Sequence, residues 1–329
     1  MPTPLKLVVI GGGTGTFTIL QSLKELTPDI TAVVNMCDDG GSTGVLRDEL
    51  GVLPPGDARQ CLVALSDAPE TRDLFDFRFS DGRLEGQSLG NIILSGLELQ
   101  HGSFEKAIEI ASRILRIRGE VVPVALGAQK LIMRDGNNEI HGQFTIKTHA
   151  IEHPDARVRI EPVSELNSRA DEVIKAADVI VIAPGDLYSS LLPVFSVNGV
   201  AESLQETDAK VIMMANLVNK YRQTDDWHVV DYVRKLEEYT GAGVVDAVLY
   251  NNEHISSELL EKYAADGEFP VQIDAARFDE LEVVTRGASL VSKEMYSQNP
   301  ADKKVRRTLI RHDPLRAKEE LVKLIELLK

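Results

Sequence analysis

Two cysteines among 329 residues cannot build a disulfide framework. Long apolar runs are missing as well. The stretch Val179–Ala183 is far too short to span a bilayer. The start MPTPLKLVVIGGG lacks the cationic head, extended apolar segment and small-residue cleavage site of a secretory signal. Cations are scarce overall, with Lys+Arg 36 against Asp+Glu 51, a formal charge of −15 and a pI near 5.0. A surface that acidic repels phosphate backbones, which excludes a general nucleic-acid binder unless positive charge is concentrated locally. The expectation is a soluble, cytoplasmic protein with no membrane span. What remains is ordinary globular material, 43% hydrophobic and 26% charged, enough for about two domains. The acidity is uneven. Residues 301–329 hold nine Lys/Arg and five Asp/Glu, either the solvated face of a terminal helix or a source of cations for an anionic ligand.

Strand-like and helix-like segments alternate, predicting a Rossmann-like α/β fold with a mostly parallel sheet, helices on both faces and a small β-rich insertion. Leu5–Ile10 is a continuous apolar run ending in glycines, as a buried parallel strand should be. Ile19, Leu20, Leu23 and Leu26 then recur on one helical face, and Thr31–Met36 reads as a second strand. Asp57 and Gln60 mark a helix start over Asp57–Leu65, and Ser103–Leu115 is amphipathic. Between Gly119 and Val163 the period changes. Ile140, Gly142, Phe144 and Ile146 alternate with polar residues, predicting a strand paired across Asp135–Asn138 with Leu131–Arg134. Further strands are expected at Asp178–Ala183, Lys210–Ala215, Val244–Tyr250 and Pro270–Ile273, with helices at Ala170–Ala177, Trp227–Glu238 and Ser256–Ala264. Asp313-Pro314 opens a last helix. The core is thus expected in two parts, 1–118 and 166–329, around an insertion at 119–165.

Gly11-Gly12-Gly13-Thr14-Gly15, between the first strand and first helix, suits an anion held by backbone N–H groups at a helix N-terminus. The dinucleotide spacing GxGxxG is not met, because the third glycine position holds Thr16 or Thr18, and no phosphate-loop lysine follows. A second glycine-rich turn, Cys37-Asp38-Asp39-Gly40-Gly41-Ser42-Thr43-Gly44, follows the second strand. Two such turns at neighbouring strand ends converge on one crevice. Carboxylates beside phosphates make sense when they hold a ribose hydroxyl or a divalent cation, and Asx turns account for them otherwise. Arg47 and Arg59 are nearby cations able to pair with these carboxylates or reach a phosphate. Cys37 and Cys61 read as buried small apolar residues. There is no Ser-His-Asp or Cys-His arrangement. His141, His149 and His153 fall in the alternating region and its following loop, where solvent exposure accounts for them.

The long run MCDDGGSTGVLRDELGVLPPGDARQCLVAL, preceded by VVIGGGTGTFTIL, resembles the gluconeogenesis-factor (YvcK-like) branch of the 2-phospho-L-lactate transferase (CofD-like) superfamily. Gly86–Asn91, Ala183–Ser190, Asn216-Leu217 and Ile310–Asp313 match further motifs, so the likeness runs nearly end to end. The intact PPGDxRxCL run favours the regulator branch over the transferase branch. This resemblance implies a nucleotide-linked ligand, a UDP-sugar, and a regulator needed for cell-wall growth and shape on gluconeogenic carbon sources. The alternative is an enzyme moving a phospholactyl-type group from a nucleotide-activated donor. By motif match the ligand-binding residues are Gly12, Gly13, Thr14, Asp38, Asp39, Gly41, Ser42, Asp57, Asn91, Gly185, Leu187, Tyr188, Asn216, Tyr263 and Arg311. The likeness implies that the last two contact the nucleotide sugar. It leaves open Mg2+ shared with a diphosphate, a homo-oligomer, and the identity of the output partner. The chain departs from the family's pattern at Ala183 and Asp186 (its loop is Ala-Pro-Gly-Asp where the family has Gly-Pro-Gly-Ser), at Arg222-Gln223, and at Pro314 after the Arg-His-Asp triplet.

Overall fold

The computed structural model describes residues 4–264, 267–293 and 310–329, without the side chains of Leu259, Lys262 and Tyr263. The strands are β1 (Leu7–Gly11), β2 (Ile30–Val34), β3 (Glu120–Pro123), β4 (Lys130–Asp135), β5 (Asn138–His141), β6 (Arg157–Glu161), β7 (Val179–Ile182), β8 (Lys210–Met214), β9 (Ala247–Asn251) and β10 (Val284–Ala288). Seven form one sheet in the order β10-β9-β8-β7-β1-β2-β3, and every pairing in it is parallel. The chain builds outward from β1 in one direction, returns to β7, and builds outward in the other. Right-handed crossovers therefore place helices on opposite faces and leave a switch point between β1 and β7. There Leu7 faces Ile30 on one side and Val179 on the other. All five residues of β1 are buried, as a strand covered on both faces requires.

The helices that shape the site are α1 (Gly13–Leu23), α2 (Gly41–Leu50), α3 (Gly56–Leu65), α4 (Pro69–Asp76), α5 (Leu89–His101), α6 (Phe104–Leu115) and the short α7 (Gln143–Thr148). Ser103 caps α6, accepting from the Lys106 N–H, and Phe104, Ala107, Ile108, Ala111 and Leu115 form its buried stripe. The last helix, Pro314–Leu328, starts at Asp313, whose carboxylate accepts from the N–H groups of Leu315 and Arg316. A cap of this kind contributes about 1 kcal/mol. Burial of Leu321, Leu324 and Ile325, at roughly 1.5–3 kcal/mol each, outweighs it and holds the helix against α1.

Four expectations change. β3, at the start of the expected insertion, lies at the edge of the main sheet, and the separate antiparallel sheet β5-β4-β6 runs from Lys130 to Glu161. The alternating run is a strand only as far as His141. Gly142, at φ +93°, turns the chain, and Gln143–Thr148 is helical, with Ile146 buried and Phe144 exposed. Pro270–Ile273 makes isolated bridges to Val218 and His228 instead of a ladder, and the outer strand is β10. Asp57 lies inside the first turn of α3, whose N-cap is Pro55, so it does not cap that helix.

Candidate functional site

Asp57 turns away from its own helix towards the first glycine turn. Its carboxylate accepts from Asn35 Nδ2 at 3.4 Å and from the Gly13 N–H. A Cβ on Gly12 would collide with this carboxylate, and one on Gly15 with the Pro184 carbonyl, so glycine is required where the turn meets α3 and the loop after β7. Asp38, from the second glycine turn, accepts from the Gly40 N–H at 3.0 Å and from the Thr43 hydroxyl. Burial, reinforced by the charge of Asp38, pushes the Asp57 carboxyl up to about 7. Burial also raises Asp38, although Gly40 and Thr43 oppose it. Two carboxylates thus share a crevice that favours neither being charged.

The opposite wall is the loop Ala183–Asp186, followed by a single π turn over Leu187–Leu191, a local form frequent at functional sites. Gly185 and Asn216 hold each other: the Gly185 N–H donates to Asn216 Oδ1 at 3.2 Å, and Asn216 Nδ2 donates to the Gly185 carbonyl at 3.0 Å. Asn216 also lines a cavity of about 350 Å³ at the carboxyl ends of β8 and β9, with Tyr250, Asn251, His254, Leu260 and Val271. His312 closes this end of the sheet. It is buried and donates to the Ala215 carbonyl, and burial holds its imidazole down at about 4, hence neutral. Its neighbour Arg311 is half-buried beside it, its carbonyl accepting from the Ser292 N–H at 2.8 Å.

The third wall comes from the inserted segment. Asp39 caps α7 from a distance in sequence, accepting from Gln143 N–H at 2.8 Å and Phe144 N–H at 2.7 Å. At the other end, Gln223 Nε2 donates to the carbonyls of Ile146 (2.7 Å) and His149 (3.0 Å). Lys147, on α7, sits 3.2 Å from Asp186. The charge of Asp186, with lesser help from Asp38 and Asp57, raises the lysine above its ordinary value. Burial alone would push Asp186 up, but Lys147 and Lys220 outweigh it and hold the carboxyl low. The departures Asp186 and Gln223 are thereby explained: one receives a lysine, the other anchors the helix that carries it. Pro314 occupies the first turn of the last helix.

Among the expected ligand residues, Gly12, Gly13, Asp38 and Asp57 meet at the crevice, with Thr14 half-buried beside them, and Gly185 and Asn216 meet at its far side. Gly41 opens α2, and Asp39 is engaged as the α7 cap. Others point inward. Ser42 donates to Gln87 and accepts from the Ser88 N–H; Asn91 donates to Ser42 and Thr43 and accepts from Arg59. Leu187 and Tyr188 are buried, the tyrosine ring edge-on to Trp227. Tyr263 belongs to the helix Ser257–Ala264, and its side chain lies outside the described residues, as do residues 301–309 of the basic tail. Arg47 and Arg59 are taken up by Asp48 and Asp76. His149 and His153 are not idle surface groups: His149 Nε2 and His153 Nδ1 each lie 2.9 Å from the carboxylate of buried Asp135. Both cysteines are buried free thiols. Sequence reasoning missed Asn35, detectable as a polar residue directly after a buried strand, and Lys147, which carried no signal.

A family model described as 2-phospho-L-lactate transferase CofD matches residues 7–291. The chain belongs to the CofD family. Within it the likeness is to the gluconeogenesis factors. The chain is 35% identical to the gluconeogenesis factor of Bacillus subtilis over 325 residues, 98% of each chain. It is 38% identical to that of Halalkalibacterium halodurans over 287 residues, 85% of this chain and 87% of the relative. A crystal structure of a UPF0052 family member from Bacillus halodurans superposes with a TM-score of 0.86 at 34% identity, covering 97% of this chain and 99% of that one. No helix among the described residues is long and apolar enough to cross a membrane.

Proposed function

We propose that this CofD-family protein is a cytoplasmic regulator that binds a nucleotide sugar, a UDP-sugar, and acts in cell-wall growth and cell shape on gluconeogenic carbon sources. The observation that carries the reading is the place of Asn216. It bonds the loop facing the glycine turns and also lines the cavity of about 350 Å³ beyond β8 and β9, which supports a reading in which phosphates and nucleoside occupy adjacent spaces. The diphosphate lies over Gly12–Thr14 at the start of α1, and the nucleoside enters the cavity beside Asn216. Mg2+ fits the chemistry of Asp38 and Asp57, whose raised proton affinity marks carboxylates in want of a cation. No group of three or more metal-type side chains is assembled among the described residues. Two carboxylates would leave most of the coordination sphere of a Mg2+ ion to water and the ligand's phosphates, its usual mode of binding.

Calorimetry with UDP-sugars, GDP, NAD and inorganic phosphate, each with and without Mg2+, tests the reading. UDP-sugars are expected to bind, and no product is expected by mass spectrometry when phospholactate-type acceptors are added. Catalytic transfer would replace the regulator with the phospholactyl-type transferase. Arg311→Ala should weaken UDP-sugar binding about tenfold and leave the melting temperature nearly unchanged, since a single charge-assisted contact is worth roughly 1.5–3 kcal/mol. Unfolding of that variant would make Arg311 structural instead.

A further inference from the structure

The crevice gathers three carboxylates, Asp38, Asp57 and Asp186, around one lysine. An anion approaching the glycine turns meets those carboxylates as well as the helix N-terminus, and the repulsion must be offset nearby. Lys147 is the group placed to do it. It arrives on a helix fixed at both ends, by Asp39 at the N-terminus and by Gln223 at the C-terminal carbonyls, with Ile146 buried between. Its Cα is therefore held, while its flexible stem leaves the ammonium free to swing. That ammonium lies 3.2 Å from Asp186, with about a third of the lysine side chain open to solvent. Asp186 has a second cation within electrostatic reach, Lys220, which also pairs with Glu268 at 3.8 Å. Loss of Lys147 to a ligand would not leave Asp186 without a counter-charge.

Resting on the nucleotide-sugar reading, the geometry points to Lys147 as the phosphate-binding cation of the crevice and to Asp186 as its resting partner, released when a diphosphate enters. The inserted segment is thus part of the ligand site. It brings in the positive charge that the two glycine turns lack, and Asp186 sets how readily that charge is given up.

Opposite effects of two substitutions test this. With UDP-glucose and inorganic pyrophosphate as probes in calorimetry, Lys147→Met should weaken binding of both at least tenfold, and Lys147→Arg should restore most of it. Asp186→Ser should tighten both severalfold, because the lysine no longer has to leave a carboxylate. A merely structural ion pair would make both substitutions weaken binding, and that result would overturn the inference. So would unchanged affinity in Lys147→Met. Melting temperatures of the three variants, each expected close to the parent, identify any loss that comes from unfolding, and Lys147→Arg and Asp186→Ser still decide if Lys147→Met fails to fold. The nucleotide reading fails separately: if UDP-glucose does not bind but pyrophosphate binds and depends on Lys147, the cation is right and the nucleotide wrong. If neither probe binds the parent protein, no diphosphate enters the crevice and the inference falls.

Discussion

Asp57 shows what burying a carboxylate costs. An unfolded aspartate titrates near 3.9, whereas Asp57 in the fold titrates at about 7. A carboxyl raised in the folded state contributes most below the unfolded value, and that contribution is lost as pH rises through the folded one. The window is therefore roughly pH 4 to 7, with stability declining upward. Asp57→Asn keeps an oxygen for the Asn35 and Gly13 donors and cannot ionise. Its stability relative to the parent should improve between pH 5 and pH 8, by at most about 3 kcal/mol. Urea midpoints at the two values measure this, and a difference that does not move with pH would show that Asp57 ionises freely. Asp135 obeys the opposite sign. Burial would raise it, but the Glu152 and His153 N–H groups and the two histidine rings bring it down to about 2. Its contribution is present above about 3.9 and fades only as pH falls towards 2. The crevice and the inserted segment thus respond to different ends of the pH scale.

At the scale of elements, α7 depends on residues distant in sequence. Asp39 and Gln143 are separated by 104 positions, and Gln223 lies a further stretch downstream. Asp39→Ala should cost about 1–2 kcal/mol, the range of a lost cap. The loss should be local: hydrogen exchange at residues 143–148 should accelerate roughly tenfold while amides of β1 and β2 keep their protection. Uniform acceleration would mean that α7 is no separate unit. The same dependence explains what could be read from the residues alone. The strand, glycine turn and helix over residues 7–23 were legible because a contiguous apolar run and a 3.6-residue stripe are local signals. So was the start of the last helix, since Asp313 and Pro314 act on their own neighbours. The helix Gln143–Thr148 was not. It is too short to show a period of its own, Ile140, Gly142, Phe144 and Ile146 satisfy a strand's alternation, and its cap lies in another turn. Candidate ligand residues were legible by type and less so by direction. Gly12, Gly13, Asp38 and Asp57 converge, but Ser42 and Asn91 turn into the interface of α2, α3 and α5, an orientation that neighbours impose.

For the whole molecule, one hydrophobic core runs through both arms of the sheet, from Val121 near one edge to Leu249 near the other. A ligand across the β1/β7 switch point therefore touches both arms at once. Saturating the protein with UDP-glucose at about a hundred times its dissociation constant should add roughly 2.7 kcal/mol and raise a single melting transition by several degrees. Two transitions, with one alone shifted, would show that the arms unfold separately. The formal charge of −15 describes the exterior and disfavours long polyanions; a crevice with its own lysine is a local exception. The sheet order has a further consequence for biosynthesis. A chain emerging N-terminus first can pair β1 with β2 early, but the other side of β1 stays open until Val179–Ile182 has been made. Throughout that interval the nascent protein carries an apolar strand edge, and the last helix, Pro314–Leu328, which packs against α1, is made later still. An unpaired edge of that kind invites association with other chains.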